Sequence, residues 1–158
     1  MKLFACLAVF CGCVAVGVIV YCRAKTRVAF YSGLIAFCNN LLTEISFTLT
    51  PIAQIIDRYV NSYTKEFRAV LFNYRKLLTK KTDITREKCL EIVNDPQVAD
   101  FFYNLGRAGV NEERDKITTA AQLFSQNKAD AEEYLKTKAI VTLKIMIIVG
   151  IAGAILLA

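Results

Sequence analysis

Residues 111–138 read NEERDKITTAAQLFSQNKADAEEYLKTK, and this stretch decides the fold class. It contains no Gly and no Pro, and apolar residues recur in it every seven positions, at Ile117, Phe124 and Ala131. Apolar residues three, four and seven positions apart lie on one face of an α-helix. The stretch therefore predicts a long amphipathic helix that continues toward the C-terminus, because the next helix-breaking residue is Gly150.

The preceding residues show the same helical spacing, interrupted where helix-starting residues occur. Residues from Lys25 to Phe47 predict one amphipathic helix, which can continue from the apolar N-terminal run. Further helices are predicted to start at Thr50-Pro51, near Thr64, at Thr85, at Asp95-Pro96 and at Asn111, with Thr50, Thr85 and Asn111 as N-caps. Gly106 marks the turn before the long helix. No alternation of apolar and polar residues is long enough for a strand, so we predict an all-α fold, an antiparallel helical bundle.

Both ends of the chain are apolar. Leu3–Cys22 contains 20 residues without a charge, about 30 Å as a helix, which matches the hydrocarbon core of a bilayer. The C-terminal stretch over residues 139–158 contains a single lysine, whose long side chain can reach the interface. We therefore predict transmembrane helices over residues 1–22 and 139–158, the second continuous with the long helix, and a helical domain over residues 23–138. Cleavage or acylation of the first segment, and an interfacial or partner-buried second segment, stay open as alternatives.

The basic residues beside the apolar stretches predict the orientation of the chain. They are Arg23, Lys25 and Arg27 after the first stretch, and Lys136, Lys138 and Lys144 before or within the second. Only Lys2 precedes the first stretch, and no basic residue follows Lys144. Because basic residues concentrate on the cytoplasmic side of spanning helices, residues 23–138 are expected to face the cytoplasm.

The composition argues against several classes of enzyme. The chain has no His, so it has no Ser-His-Asp system and no His metal ligand. Four of its six cysteines lie in the N-terminal apolar run, and only Cys38 and Cys89 lie elsewhere, which favours reduced packing cysteines over a zinc motif. No phosphate-binding Gly-rich loop is present. We therefore expect no catalytic set, no cofactor, no metal and no small-molecule substrate.

The strongest local charge lies between Lys65 and Lys88, where eight basic and three acidic residues give a net charge of +5. Such a surface can meet anionic lipid headgroups or an acidic protein partner, and an ordinary solvated helix face is an open alternative. Nucleic acid is not expected, because the aromatic residues there fit a core stripe better than a stacking platform. These residues are Tyr63, Phe67, Phe72 and Tyr74.

Three stretches, in order, resemble the stage III sporulation protein AB family of endospore-forming bacteria. Leu41-Leu42-Thr43-Glu44-Ile45 followed by Thr50-Pro51-Ile52 is similar to the family's L-x-x-E-I … T-P-L pattern. Phe101-Phe102-Tyr103-Asn104-Leu105-Gly106 is similar to its F-G-x-x-L-G, with Phe102 in the place of Gly. The third is the long helix that leads into the Gly-containing end at Ile147–Ala158.

The resemblance implies a non-enzymatic component of the channel complex that links mother cell and forespore. The family's helical domain is similar to the cytoplasmic domain of the platform protein in type II secretion and type IV pilus machines. It implies a location in the mother-cell membrane, other stage III sporulation proteins as partners, and docking of a cytoplasmic secretion-type ATPase. A homo-oligomer stays open.

Charge and expected exposure suggest where such an ATPase would dock. The candidate residues are Arg75, Lys76, Lys80 and Lys81 on a basic face, and Leu105, Gly106, Arg107 and Asn111 at the turn before the long helix. The alternative is a membrane-anchored helical factor that binds anionic lipid through the basic face and has no ATPase partner.

Overall fold

A computed structural model of the chain describes residues 2–47, 50–79 and 84–157. Most of these residues are helical and none of them forms a strand, so the predicted all-α class is confirmed. The α-helices are α1 (Lys2–Phe47), α2 (Ile52–Tyr59), α3 (Lys65–Thr79), α4 (Arg86–Val93), α5 (Pro96–Asn104), α6 (Val110–Tyr134) and α7 (Ile140–Leu157). One 3-10 turn, Val60–Ser62, follows α2.

The chain divides into two compact units. The first consists of Met1–Val28 and Asn127–Ala158, and the second of Ala29–Gln126. Helices α1 and α6 therefore each contribute to both units. The predicted domain boundaries after residues 22 and 138 stay predictions.

Local signals place two of the predicted helix starts correctly. The Thr85 hydroxyl accepts a hydrogen bond from the Lys88 backbone N–H, and Asp95 accepts from the N–H groups of Gln97 and Val98. Both side chains satisfy amide groups that the first turn of a helix leaves without a partner. Pro96 follows Asp95 at the first helical position, where its missing N–H has no cost.

Two predicted N-caps are wrong. Thr50 does not cap α2, because Pro51 stands at the cap position and its carbonyl oxygen accepts from the N–H of Ile55, 3.2 Å away. The Thr50 hydroxyl donates to the Glu44 carboxylate, also at 3.2 Å. Asn111 lies inside the first turn of α6, which begins one residue earlier. The helix starts there because the N–H of Glu113 donates to the carbonyl oxygen of Gly109, 2.8 Å away.

The long helix continues toward the C-terminus as predicted, with a change of hydrogen bonding that the sequence did not indicate. Leu135–Ala139 is a π-helical segment between α6 and α7. Apolar spacing does not reveal such a segment, since one wide turn shifts the periodicity by a single residue.

The core of the second unit is a cluster of aromatic rings centred on Phe102. Its ring is fully buried, and the centre of the ring lies 4.6 Å from the centre of the Tyr74 ring. It also stacks on the rings of Phe37 and Phe67. The Tyr74 hydroxyl donates to the backbone oxygen of Phe102 at 3.0 Å, and burial raises the Tyr74 pKa. The cluster joins α1, α3 and α5, so the residue that departs from the family's F-G pattern fills the centre of the core.

In the first unit, α1 and α7 pack closely at Gly17. A Cβ atom added there would lie 3.2 Å from both the Cα of Leu143 and the Cβ of Met146, so only Gly allows this approach without a shift. Large apolar side chains are nevertheless exposed on this unit. They are Leu7, Val16, Val18, Ile19, Val141, Ile145, Ile148, Val149, Ile151 and Ile155.

In the parts of the chain that the structure describes, no helix combines the length and the apolar character needed to cross a membrane. The two predicted spans are therefore not confirmed, and they stay a prediction.

Replacing Phe102 with Ala should lower the free energy of unfolding by about 3–5 kcal/mol, because it leaves a cavity among the rings of Phe37, Phe67, Tyr74 and Phe101. Phe72 is the matched control, since its side chain is 57% exposed and Phe72→Ala should have little effect. Chemical denaturation of both variants measures the difference. Equal losses would show that Phe102 is not central to the core.

Candidate partner-binding surface

The turn between α5 and α6 is held by the carboxylate of Glu113. Its Oε1 accepts from the backbone N–H of Gly106 at 2.7 Å, and its Oε2 accepts from that of Ala108 at 3.3 Å. Glu113 is only 5% exposed, so these bonds form where water competes poorly for the amide groups. The first turn of α6 thus fixes the loop that precedes it. In the sequence, Glu113 is visible only as one of two acidic residues near the start of the long helix, where the helix dipole favours anions.

Gly106 has the backbone conformation that this turn requires. Its φ of +79° lies in the left-handed region, which residues with a Cβ atom rarely adopt. A Cβ there would also lie 2.8 Å from Cδ1 of Ile52, the end of a flexible side chain that can move away at little cost. The glycine of the L-G pattern is therefore required by its backbone conformation.

Arg107 ties the same turn to the chain near the start of α4. Its guanidinium carbon lies 4.0 Å from the centre of the Tyr103 ring, a cation–π contact. Its Nη2 donates to the backbone oxygen of Ile84 at 3.0 Å. The side chain is therefore fixed in position although the residue is exposed.

The candidate turn residues differ in accessibility. Leu105 is 8% exposed, so it serves the core and offers almost no surface to a partner. Gly106, Arg107 and Asn111 are exposed. The accessible part of the predicted turn surface thus consists of the backbone at Gly106 and the side chains of Arg107 and Asn111.

The predicted basic face is only partly available as free charge. Arg75 donates from Nη2 to Oδ2 of Asp57 at 2.7 Å, and this hydrogen bond and the Asp57 charge raise the Arg75 pKa. Lys76 is exposed, and its ammonium lies 5.6 Å from the centre of the Phe72 ring. Lys80 and Lys81 lie outside the described residues. Among the described members of this face, Lys76 is therefore the cation best placed to meet an anionic partner.

A second buried carboxylate, Glu44, holds the corner between α1 and α2. It accepts from Arg58 Nη1 at 2.5 Å, from the Tyr59 hydroxyl at 2.9 Å and from the Thr50 hydroxyl at 3.2 Å. Glu44 is 6% exposed, and its bond to Arg58 raises the pKa of that guanidinium. The E and T of the family-like pattern thus interact directly, a role that the sequence pattern did not indicate.

The two cysteines of the second unit lie in the core. Cys38 and Cys89 are buried, and burial raises the pKa of Cys38 to about 12 and that of Cys89 above its usual value. Thiols in such surroundings stay protonated and unreactive near neutral pH. Within residues 2–47, 50–79 and 84–157, no group of His, Cys, Asp and Glu side chains could hold a metal ion.

The fold and this surface define an all-helical protein that presents fixed turns and exposed charge on its second unit. The profile of the family described as Stage III sporulation protein AB matches residues 2–158, so the chain belongs to this sporulation family. The predicted resemblance is confirmed, and the family is not a known family of enzymes. Comparisons with curated proteins and with solved structures found no match.

Replacing Glu113 with Ala should lower the free energy of unfolding by about 2 kcal/mol, because two amide groups lose their acceptor. The matched control is Glu112→Ala. Glu112 forms an exposed ion pair with Lys116, so its loss should cost less than about 0.5 kcal/mol. Chemical denaturation of the full-length variants measures both values. A Glu113 variant as stable as the control would contradict the role given to its carboxylate.

Proposed function

We propose that the protein is a non-enzymatic platform component of the channel complex between mother cell and forespore, and that its helical domain docks a cytoplasmic secretion-type ATPase. The observation that carries the proposal is membership of the stage III sporulation protein AB family over nearly the whole chain. Docking is supported by the exposed cation of Lys76 and by the fixed, exposed turn at Arg107 and Asn111. Acidic groups on the ATPase would complement this surface.

The accessible residues of the surface give the sharpest test of docking. Lys76→Glu and Asn111→Glu should each weaken binding of the purified ATPase, Lys76→Glu by about ten-fold, since it removes an attraction and adds a repulsion. The controls are Lys65→Glu at the other end of α3 and Gln122→Glu on α6, both exposed positions. Arg75 is left unchanged, because its replacement would also release Asp57.

Titration of the ATPase against each full-length variant separates the outcomes. Weaker binding for the two surface variants, with unchanged binding for their controls, supports the proposal. Unchanged binding for all four would remove this surface from it. Salt-sensitive binding to anionic vesicles, without any ATPase binding, would favour the lipid-binding alternative.

We propose further that the protein resides in the mother-cell membrane, with residues 23–138 facing the cytoplasm. The support is the position of basic residues beside the two apolar stretches, and the large apolar side chains exposed on the first unit. Apolar surface of this extent is unfavourable in water and requires lipid or protein contact.

Cysteine labelling tests this orientation. Cys89 is buried and therefore unsuitable, whereas Ser125 is exposed. A Ser125→Cys variant, with the N-terminal cysteines replaced by Ala, should react with an impermeant thiol reagent only after the cells are permeabilised. Reaction from outside intact cells would contradict the orientation, and recovery in the soluble fraction would contradict the location.

A further inference from the structure

A groove of about 580 Å³ lies between α5 and the first turns of α6, within the second unit. Its floor is apolar and includes Phe101, Leu105 and Leu123. The ring of Phe101 is half-buried, and Leu123 is 37% exposed, so part of this floor is open to solvent. Of the described docking candidates, Leu105 lines the groove, whereas Lys76, Arg107 and Asn111 do not.

The rim of the groove has the opposite charge to the chain as a whole. Four carboxylates and one ammonium line the groove, a net charge of −3, whereas the chain carries +6. The carboxylates are those of Asp100, Glu112, Glu113 and Asp115, and the ammonium is that of Lys116.

Two of the four carboxylates can exchange their present partners for those of a ligand. Asp100 pairs with Arg86, and Glu112 with Lys116 at 2.6 Å, both through side chains that are about half exposed. Exposed ion pairs of this kind contribute little to stability. Arg86 holds the pKa of Asp100 below its usual value, which keeps the carboxylate ionised at neutral pH. Asp115 is exposed and forms no ion pair with any described residue.

The shape of the groove favours a helix as its occupant. It runs between two helices, and α5 with its nine residues is about 14 Å long, which matches a ligand helix of about three turns. A helix satisfies its own backbone hydrogen bonds. A peptide that binds by adding a strand would need a sheet edge, and the described residues include no strand.

We propose that this groove binds an amphipathic helix of a partner protein that carries Leu-type side chains on one face and Lys or Arg at its edges. The apolar face would cover Leu123 and Phe101, and the cations would meet Asp115, Asp100 and Glu112.

The basic helix α3 of a second copy is a poorer occupant. It buries Phe67, Leu71 and Tyr74 in its own core, and the large apolar side chain that it exposes is Phe72. It therefore has the charge that the rim requires without the apolar stripe that the floor requires.

Two synthetic peptides provide the probe for the full-length protein. Both are helix-forming, about three turns long, and share Leu at positions i, i+3, i+4 and i+7. Their flanking positions are Lys in one peptide and Glu in the other. Fluorescence anisotropy should show binding of the Lys peptide that weakens with salt, and binding of the Glu peptide at least about ten-fold weaker.

Variants with matched controls locate the binding site. Asp115→Lys and Leu123→Ser should each weaken binding of the Lys peptide by about ten-fold. The control for Asp115→Lys is Glu91→Lys, which makes the same change in net charge at an exposed position on α4. The control for Leu123→Ser is Phe72→Ser, which removes an exposed apolar side chain outside the groove. Both controls should bind the peptide as the unmodified protein does.

Several results would overturn the proposal. They are no binding of either peptide, equal binding of both, or binding of the Lys peptide that Asp115→Lys and Leu123→Ser leave unchanged. Sedimentation tests a second copy as the occupant. If the protein bound neither peptide but self-associated, and Leu123→Ser abolished that self-association, a second copy would be the occupant.

Discussion

The carboxylate of Glu113 is the interaction on which the turn and the groove of the second unit depend. By accepting from two amide groups of the preceding turn, it fixes where α5 ends and α6 begins. That register brings the rings of Phe101 and Phe124 to a centre distance of 5.5 Å and buries Leu105 between the helices. The exposed turn and the groove both depend on this one arrangement. Since an amide without its acceptor is costly when buried, the turn has few alternatives of similar energy.

Glu44 is also a buried carboxylate, but it accepts hydrogen bonds from side chains instead of backbone amides. A buried carboxylate is tolerated only when donors replace the water that it has lost. At Glu44 these donors are the side chains of Arg58, Tyr59 and Thr50, each of which can be replaced separately. At Glu113 they are backbone amides, which substitution by any residue other than Pro leaves in place. The donors around Glu44 can therefore be substituted one at a time, whereas the turn at Glu113 depends on a single side chain.

Local sequence patterns predicted most of the helices, because side-chain spacing and capping residues act within a few positions of the chain. Thr85 and Asp95 were found in this way. Thr50 was predicted wrongly as a cap, because α2 begins one residue later, after Pro51, and the Thr50 hydroxyl donates to Glu44 instead. The basic face was counted correctly as charge, but its pairing of Arg75 with Asp57 spans 18 residues and depends on how α2 meets α3. The groove was not foreseen at all, since it exists only once α5 and α6 are packed.

The average charge of the chain conceals two surfaces of opposite sign on the second unit. A partner with one uniform charge would be attracted to Lys76 and repelled by the rim that includes Asp115, or the reverse. Affinity for the unit as a whole therefore requires a partner with a patch of each sign, or two partners that each recognise one surface. Either arrangement rejects simple polyelectrolytes, because what they gain at one surface is offset at the other. Under the two binding proposals, these surfaces of opposite charge would give the second unit a selectivity that the net charge of +6 alone could not provide.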